Sequence, residues 1–247
     1  MNFITTALVL NSYTLAEKDV RLYMLSPEKG IFEAVAKGGR KSKKRFVNLL
    51  EPFSLLRVHL RKGRISYLPP FLDQADLLEP FENLRSSFVN YLRASYVCEL
   101  VECLFRPFSG QEAFRPLLQV LYLLNASPPP WALLKLHFEL QMLHLSGFAP
   151  KLKECSRCGK KPSGKRRYFS TRDGGVICEG CFREGDLFLS PAVQAFLQHL
   201  TRLGFEKLSR LRPAAENLKE AEKIIEEFVL FVVDREIGSL RILKEML

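Results

Sequence analysis

Residues 155–181 read CSRCGKKPSGKRRYFSTRDGGVICEGC, with a Cys-x2-Cys pair at each end. Cys155 and Cys158 form the first pair, Cys178 and Cys181 the second, and 19 residues separate the two pairs. Two thiolates at this spacing hold one side of a tetrahedral ion, and two such pairs fill its coordination shell. The stretch therefore predicts one structural Zn²⁺ in a zinc ribbon, with no open position for water or substrate.

Two disulfides or four free thiols are the alternatives to a metal site. A reducing cytoplasm disfavours disulfides, so the spacing favours zinc. Between the pairs, Asp173-Gly174-Gly175 is typical of a hairpin turn, as expected for a ribbon. We place this four-cysteine insert at residues 151–186.

A second combination upstream resembles a catalytic signature. His137-Phe138-Glu139 followed by Cys155-x2-Cys158 is similar to the H-x-E and C-x-x-C of zinc nucleobase deaminases. Glu154 stands where that signature has proline, however, and the first cysteine pair already has a better partner in the second. The sequence also contains no P-loop, G-x-S-x-G or acidic pair suited to two-metal chemistry. We therefore expect a helix-face histidine, no small-molecule substrate and no enzyme.

Helical periodicity surrounds the insert on both sides, over residues 80–150 and 187–247. Apolar residues recur there at steps of three and four, which favours a helical domain interrupted by the insert. Ser190-Pro191 predicts the start of a helix that ends near Gly204. A last long helix is expected from about residue 214 to 245.

The N-terminal segment is placed at residues 1–79, and residues 1–70 of it alternate with the period of strands. Five short strands in a segment of this length predict a five-stranded barrel of the OB type, with an SH3-like barrel as the alternative. The fold class is thus α+β and multidomain. The predicted strands are Phe3–Leu10, Val20–Leu25, Ile31–Ala36, Phe53–Leu60 and Ile65–Leu68.

The formal net charge of +10 is concentrated in two segments. Residues 1–80 carry 13 Lys and Arg against 8 Asp and Glu, and residues 151–186 carry 10 against 5. Within Lys37–Arg64, ten basic residues face one acid, Glu51. A glycine-interrupted basic loop followed by basic strand residues can track phosphates, which predicts nucleic-acid binding. The ten basic residues are Lys37, Arg40, Lys41, Lys43, Lys44, Arg45, Arg57, Arg61, Lys62 and Arg64.

Aromatic side chains near these cations are candidates for stacking on bases. Single-strand sites combine a cationic groove with aromatic platforms. Tyr13, Tyr23, Phe46 and Tyr67 are the candidates in this segment, and the sequence does not choose among them.

Taken together, these stretches resemble the bacterial RecO family of DNA repair and recombination mediators. The resemblance lies in AKGGRKSKKRF (36–46) with LLEPF (49–53), LSGFAPKLKECSRCG (145–159) and GGVICEGC (174–181), and it spans nearly the whole chain. It implies an N-terminal OB domain and a helical domain with a zinc-binding insert, and it makes the ten basic residues the DNA surface and the four cysteines the zinc ligands.

The same resemblance implies function and partners. Such proteins bind single- and double-stranded DNA, anneal complementary strands, and engage the acidic C-terminal tail of single-stranded DNA-binding protein (SSB). With RecR they help load RecA. A site for the tail is expected in the helical domain, with Arg106, Arg115 and Lys135 as candidate cations.

Composition and hydropathy bound the remaining possibilities. The chain is 47% hydrophobic and 26% charged, which excludes disordered and fibrous classes. Its densest late apolar run, Phe228–Val233, is too short to cross a membrane, and the N-terminus lacks the features of a signal peptide. We expect a cytoplasmic, nucleoid-associated protein. An RNA-binding OB and zinc-ribbon regulator shares the same charge and cysteines and remains the alternative.

Overall fold

The computed structural model describes residues 2–15, 17–42, 45–63, 68–126, 130–162, 164 and 166–246. Its elements confirm the α+β class, with five strands followed mainly by helices. The strands are β1 Asn2–Leu15, β2 Asp19–Ser26, β3 Gly30–Ala36, β4 Leu55–Arg61, β5 Phe71–Glu79, β6 Arg167–Ser170, β7 Gly175–Cys178 and β8 Leu187–Phe188. The α-helices are α1 Glu82–Ser86, α2 Phe88–Leu104, α3 Phe114–Asn125, α4 Trp131–Leu145, α5 Pro191–Leu200, α6 Ala215–Val233 and α7 Gly238–Met246.

The chain divides into two compact units. The first unit comprises residues 1–126 and 238–247, and the second comprises residues 127–237. Strands β1–β5 and helices α1–α3 and α7 therefore belong to the first unit. The cysteine insert and helices α4–α6 belong to the second.

The first five strands close into a barrel in the order β1-β2-β3-β5-β4. Strand β1 reaches two neighbours: its first half pairs with β4, with Phe3 opposite Leu60, and its second half pairs with β2. Strands β3 and β5 meet in parallel, with Val35 opposite Phe71. Because side chains alternate across a strand, one set from each strand faces the barrel core. The fully or nearly fully buried members are Ala7, Val9, Leu22, Met24, Phe32, Ala34, Leu56, Val58, Leu60 and Leu72.

Three strand predictions differ from the structure, and the first of these strands, β1, runs to Leu15 rather than Leu10. The fourth strand begins at Leu55 rather than Phe53, because Phe53 has a φ of 71° and its N–H donates to the Val9 carbonyl at 2.8 Å. The fifth predicted strand, Ile65–Leu68, lies outside the described residues except for Leu68. The fifth strand of the barrel is β5, which was not predicted.

A carboxylate on α2 holds the start of α7 in the first unit. Glu99 accepts hydrogen bonds from the backbone N–H groups of Gly238 and Ser239, at 2.9 and 3.0 Å, and from the Ser239 hydroxyl at 2.6 Å. The first N–H groups of a helix have no partner within the helix, and a negative charge there is favourable. Glu99, which precedes Gly238 by 139 residues, thus holds the start of α7 against α2.

The predicted long C-terminal helix, residues 214–245, was wrong as a single element. Helix α6 ends at Val233, and Asp234 adopts a left-handed conformation with a φ of 50°. After this break, α7 begins at Gly238 in the other unit. The predicted start at Ser190-Pro191 is confirmed, since the Ser190 hydroxyl accepts from the Val193 N–H, but this helix ends at Leu200 rather than near Gly204.

The insert contains a small antiparallel sheet in the order β7-β6-β8. The predicted hairpin is confirmed: Ser170 pairs with Gly175, and Gly174 takes the positive φ of 64° that the turn requires. Phe169 points into the core of the second unit, where its ring lies 5.4 Å from that of Phe228. Among the helices of the described residues, none has the length and apolar character needed to cross a membrane.

Candidate metal centre and nucleic-acid surface

The four insert cysteines converge on one point. Cys155 and Cys158 lie in a tight turn, Cys178 ends β7, and Cys181 ends the following short 3₁₀ turn. Their sulfur atoms all lie within 4.8 Å of one another. Among the residues that the structure describes, this is the one group of three or more Cys, His, Asp or Glu side chains arranged to hold a metal ion.

The geometry of the four thiols fits a tetrahedral metal. With metal–sulfur bonds of about 2.3 Å, the edge of a tetrahedron of sulfurs is about 3.8 Å. The Cys158 and Cys178 sulfurs are 3.7 Å apart. Four thiolate donors also leave no open coordination position, so this centre can support the fold but cannot activate water.

Backbone N–H groups prepare the first cysteine for a metal. Although burial raises the pKa of the Cys155 thiol, the N–H groups of Cys178, Cys158 and Arg157 stabilise its thiolate and bring the pKa down to about 6. Gly159 follows the pair with a φ of 73°, and its N–H donates to the Cys155 carbonyl at 2.9 Å. The three N–H groups around the Cys155 sulfur therefore favour its thiolate form, the form that binds a metal.

An arginine between the first two cysteines ties the insert together. The Arg157 guanidinium donates to Asp173 at 2.7 and 2.9 Å, to Asp186 at 2.7 and 2.9 Å, and to the Cys181 carbonyl at 2.6 Å. The Ser170 hydroxyl and Arg157 lower the pKa of Asp173, and Arg157 lowers that of Asp186 against the opposing effect of burial. Arg157 was not predicted to have a role, because its four hydrogen-bond partners are 13 to 29 residues away.

Several predicted DNA-binding residues gather at one end of the barrel. Lys37 follows β3, and its ammonium lies 4.6 Å from the centre of the Phe71 ring; the Arg61 guanidinium lies 5.5 Å from the same ring. Arg45 donates to the Lys37 carbonyl at 2.6 Å. We call Lys37, Arg40, Lys41 and Arg45, all exposed, the cationic turn. Lys43, Lys44 and Arg64 lie outside the described residues.

The basic residues of β4 lie on a face of mixed charge. Arg61 is paired with Asp73 at 2.9 Å, and Arg57 stands opposite Asp76 in the register with β5. Lys62 follows this strand and is exposed. The acidic residues of β5 thus offset part of the charge of Arg57 and Arg61, whereas the cationic turn contains no acidic residue.

The aromatic candidates occupy different environments. Phe46 is buried in the barrel core and is not available for stacking. Tyr13 and Tyr23 lie edge to face on the barrel, with ring centres 5.6 Å apart. Tyr67 lies outside the described residues. Phe71, whose ring lies near both Lys37 and Arg61, was missed because β5 was not predicted.

One candidate cation for an acidic tail was wrong. Lys135 is only 4% exposed. Its ammonium lies 2.9 Å from carboxylate oxygens of Glu139 and Glu226. Burial lowers its pKa, but the two carboxylates outweigh burial and raise the pKa above its ordinary value. Lys135 is therefore a charged core residue, whereas Arg106 and Arg115 are exposed.

The deaminase-like residues also lie in the core of the second unit. His137 is fully buried, and its ring meets that of Phe205 at 4.7 Å, edge to face. Glu139 is equally buried and pairs with Lys135. Neither residue belongs to the metal-ligand group, which consists of the four cysteines.

Burial of His137 predicts a pH-dependent loss of stability. Burial lowers its pKa to about 4, while the Leu200 carbonyl and Glu206 act in the opposite sense. The unfolded chain binds this proton below about pH 6.5, so its contribution to stability is full above that pH and falls as pH drops toward 4. We expect the loss at pH 5, relative to pH 7, to be about 2 kcal/mol greater in the wild type than in His137→Gln. Urea unfolding at pH 5 and pH 7 measures this difference in the free energy of unfolding. The same pH dependence of stability in the wild type and in His137→Gln would refute the prediction.

Comparison with known proteins places these features in a family. The family model described as "Recombination protein O N terminal" matches residues 1–81, and "Recombination protein O C terminal" matches residues 85–241. The chain is 31% identical over 236 residues to the DNA repair protein RecO of Caldanaerobacter subterraneus, covering 93% of this chain and 92% of that one. It is 31% identical over 242 residues to the RecO of Dehalococcoides mccartyi, covering 95% and 92%. It is 40% identical over 177 residues to the RecO of Myxococcus xanthus, covering 71% and 70%.

Proposed function

This chain belongs to the RecO family of DNA repair proteins, and from that premise we propose that it is a recombination mediator. It binds single- and double-stranded DNA, anneals complementary strands and, together with RecR, helps to load RecA on DNA coated with SSB. It does so as a binding protein, without catalysing a reaction. The coarser role, in DNA repair, follows from the family itself.

The proposal rests mainly on the exposed positive charge of the cationic turn. It is exposed, contains no acid, and lies beside the Phe71 ring at one end of a closed five-stranded barrel. The closed five-stranded barrel, in the order β1-β2-β3-β5-β4, supports the OB type that we propose for this domain. Barrels of this type bind single strands through cations that follow the phosphates and aromatic rings that stack on bases.

Long cationic side chains explain annealing in physical terms. Two complementary strands repel each other through their phosphates, and Lys and Arg side chains screen this repulsion by releasing condensed counterions. A turn of separate long side chains contacts phosphates without reading sequence. The complete proposed DNA surface remains the ten basic residues Lys37, Arg40, Lys41, Lys43, Lys44, Arg45, Arg57, Arg61, Lys62 and Arg64.

One Zn²⁺ held by Cys155, Cys158, Cys178 and Cys181 completes the proposed fold of the insert. When bound, the ion supplies structural cross-linking of the two cysteine pairs and no reactive position. In functional terms we divide the chain into the OB barrel (1–79), the helical regions (80–150 and 187–247) and the zinc-binding insert (151–186).

Protein partners complete the proposed role. The acidic C-terminal tail of SSB needs exposed cations, and Arg106 and Arg115 meet that condition, whereas Lys135 does not. RecR is the second proposed partner. A mediator that works on chromosomal gaps acts in the cytoplasm and associates with the nucleoid.

Removing charge from the cationic turn tests DNA binding. In the triple variant Lys37→Ala, Arg40→Ala, Lys41→Ala, we expect affinity for single-stranded DNA to fall about 100-fold at about 0.1 M salt. The slope of log affinity against log salt should decrease in magnitude by about 2, because each phosphate contact contributes about 0.7. Fluorescence anisotropy across a salt series measures both quantities, and the loss should be similar for all base sequences.

A matched control variant separates the effect of the charges in the cationic turn from the effect of the overall net charge. Lys207, Lys219 and Lys223 are exposed in the second unit, and their replacement by alanine removes the same three charges. This control should retain nearly the wild-type salt slope. If the cationic-turn variant also retains it, the turn is not the DNA surface. Tighter wild-type binding to folded RNA than to DNA would instead favour an RNA-binding regulator.

A further inference from the structure

Three aromatic side chains form an exposed cluster on the insert. Tyr168 lies between Phe182 and Phe188, with its ring centre 4.3 Å from the first and 6.4 Å from the second. Phe182 is 48% exposed and Phe188 is 54% exposed. We call these three residues the aromatic platform. Contiguous exposed apolar surface, unlike apolar side chains scattered singly, marks an interaction site.

Strand register explains why the three rings meet. Tyr168 on β6 stands opposite Phe188 on β8, so both side chains project from the same face of the sheet. The next residue, Phe169, projects from the other face and is buried against Phe228. Phe182 directly follows Cys181, and the turn of the second cysteine pair brings its ring onto Tyr168. One face of the sheet therefore builds the core while the other presents the platform.

Positive charge flanks the platform. Arg166 precedes Tyr168 by two residues, the spacing that puts side chains on one side of an extended chain, and its side chain is 72% exposed even though it lies 3.7 Å from Glu179. Arg183 follows Phe182 and is exposed. The insert as a whole carries 10 basic residues against 5 acidic ones, and this excess stays positive when the net charge of about −2 of a Zn²⁺ held by four thiolates is added. It favours a polyanionic ligand over an apolar protein surface.

From this combination we propose that the aromatic platform stacks unpaired bases of single-stranded DNA, giving the insert a contact separate from the barrel. This proposal rests on the proposed DNA-binding function and extends it to a second site. Bases stack on the exposed faces of Phe182 and Phe188, while Arg166 and Arg183 contact the adjoining phosphates. Stacking on aromatic rings tolerates any base sequence, as a mediator on arbitrary gaps requires.

An abasic strand separates stacking from charge. We compare binding of an oligo(dT) of about 20 nucleotides with an abasic strand of equal length and charge, long enough for more than one contact. In Phe182→Ala, Phe188→Ala, affinity for oligo(dT) should fall at least about fivefold, the effect of one weak stacking contact. Affinity for the abasic strand and the salt slope should stay unchanged, because the cations remain.

Two further variants guard against loss of folding. Phe231→Ala removes a phenylalanine of nearly the same exposure, 51%, from helix α6 of the same unit, and it should bind both strands as the wild type does. Phe188→Trp keeps an aromatic ring in place, and its fluorescence should be quenched by oligo(dT) and much less by the abasic strand. The zinc content of every variant should remain one per chain.

The outcomes distinguish this proposal from the proposed function. If the wild type binds neither strand, the proposed function is contradicted and the platform proposal falls with it. If the wild type binds but the double variant keeps the same preference for oligo(dT), and the Phe188→Trp emission does not change with DNA, the platform alone is refuted. Loss of RecR binding by the double variant with unchanged DNA binding would make the surface a protein-docking site and would equally overturn the proposal.

Discussion

Cys155→Ser is expected to abolish metal binding and to unfold the insert. Cys155 is buried, its sulfur accepts an N–H from Cys178 at 3.4 Å, and its thiolate closes the four-sulfur shell. A hydroxyl at this position cannot replace a thiolate ligand. Structural zinc sites contribute about 10–16 kcal/mol of metal-binding free energy to folding. The stability lost with the ion is therefore larger than the loss that a single substitution usually causes. The same loss is expected when a strong chelator removes the metal from the wild type.

Metal analysis and limited proteolysis test this prediction together. The wild type should contain one zinc per chain and resist cleavage in residues 151–186, whereas Cys155→Ser should lack zinc and be cut there. Cys103→Ser is the control, since Cys103 lies outside the metal-ligand group. A Cys155→Ser protein with wild-type zinc content, or with a wild-type melting temperature in the presence of chelator, would show that the site is not structural.

Lys135→Met is expected to cost about 3–5 kcal/mol of the free energy of unfolding. The substitution leaves the carboxylates of Glu139 and Glu226 without the ammonium that now lies 2.9 Å from each. Glu139 is fully buried, and Glu222 nearby has its own pKa raised by burial, so negative charge accumulates in an apolar environment. The uncompensated charge, more than the lost attraction, destabilises the variant.

A compensated variant separates these two causes. When Glu139→Leu and Glu226→Leu accompany Lys135→Met, no buried charge of the triad remains, and we expect most of the stability to return. Urea unfolding at pH 7 compares the wild type, the single variant and the triple variant. If the triple variant is as unstable as, or less stable than, Lys135→Met, the ion pairs themselves stabilise the second unit, and buried carboxylate charge is not the cause of the loss.

Local signals made part of this structure predictable. The spacing of Cys155, Cys158, Cys178 and Cys181 requires no knowledge of distant residues, because each pair folds its own turn. Strand alternation likewise predicted β1–β4 of the barrel. Strand β5 lacked that signal, since Leu72 is its one buried side chain. It becomes a strand by pairing with β4 along its length and meeting β3 at Phe71, contacts that no local pattern encodes.

Distant contacts also decided the roles of single residues. A lysine is usually a surface residue, and nothing near Lys135 in the sequence indicates its partner Glu226, which is 91 residues away. Phe46 looked like a stacking ring but fills the barrel core. The positions of Tyr168, Phe182 and Phe188 alone did not indicate a cluster, because their meeting depends on the β6–β8 register and on the turn at Cys181.

Annealing of complementary oligonucleotides coated with SSB tests the central claim most directly. The wild-type protein, loaded with zinc, should accelerate annealing, and the acceleration should decline with salt because phosphate contacts drive it. It should also disappear when the acidic tail of SSB is deleted. No acceleration by a folded, zinc-loaded sample, or acceleration on naked strands only, would contradict the assignment of this chain as a recombination mediator.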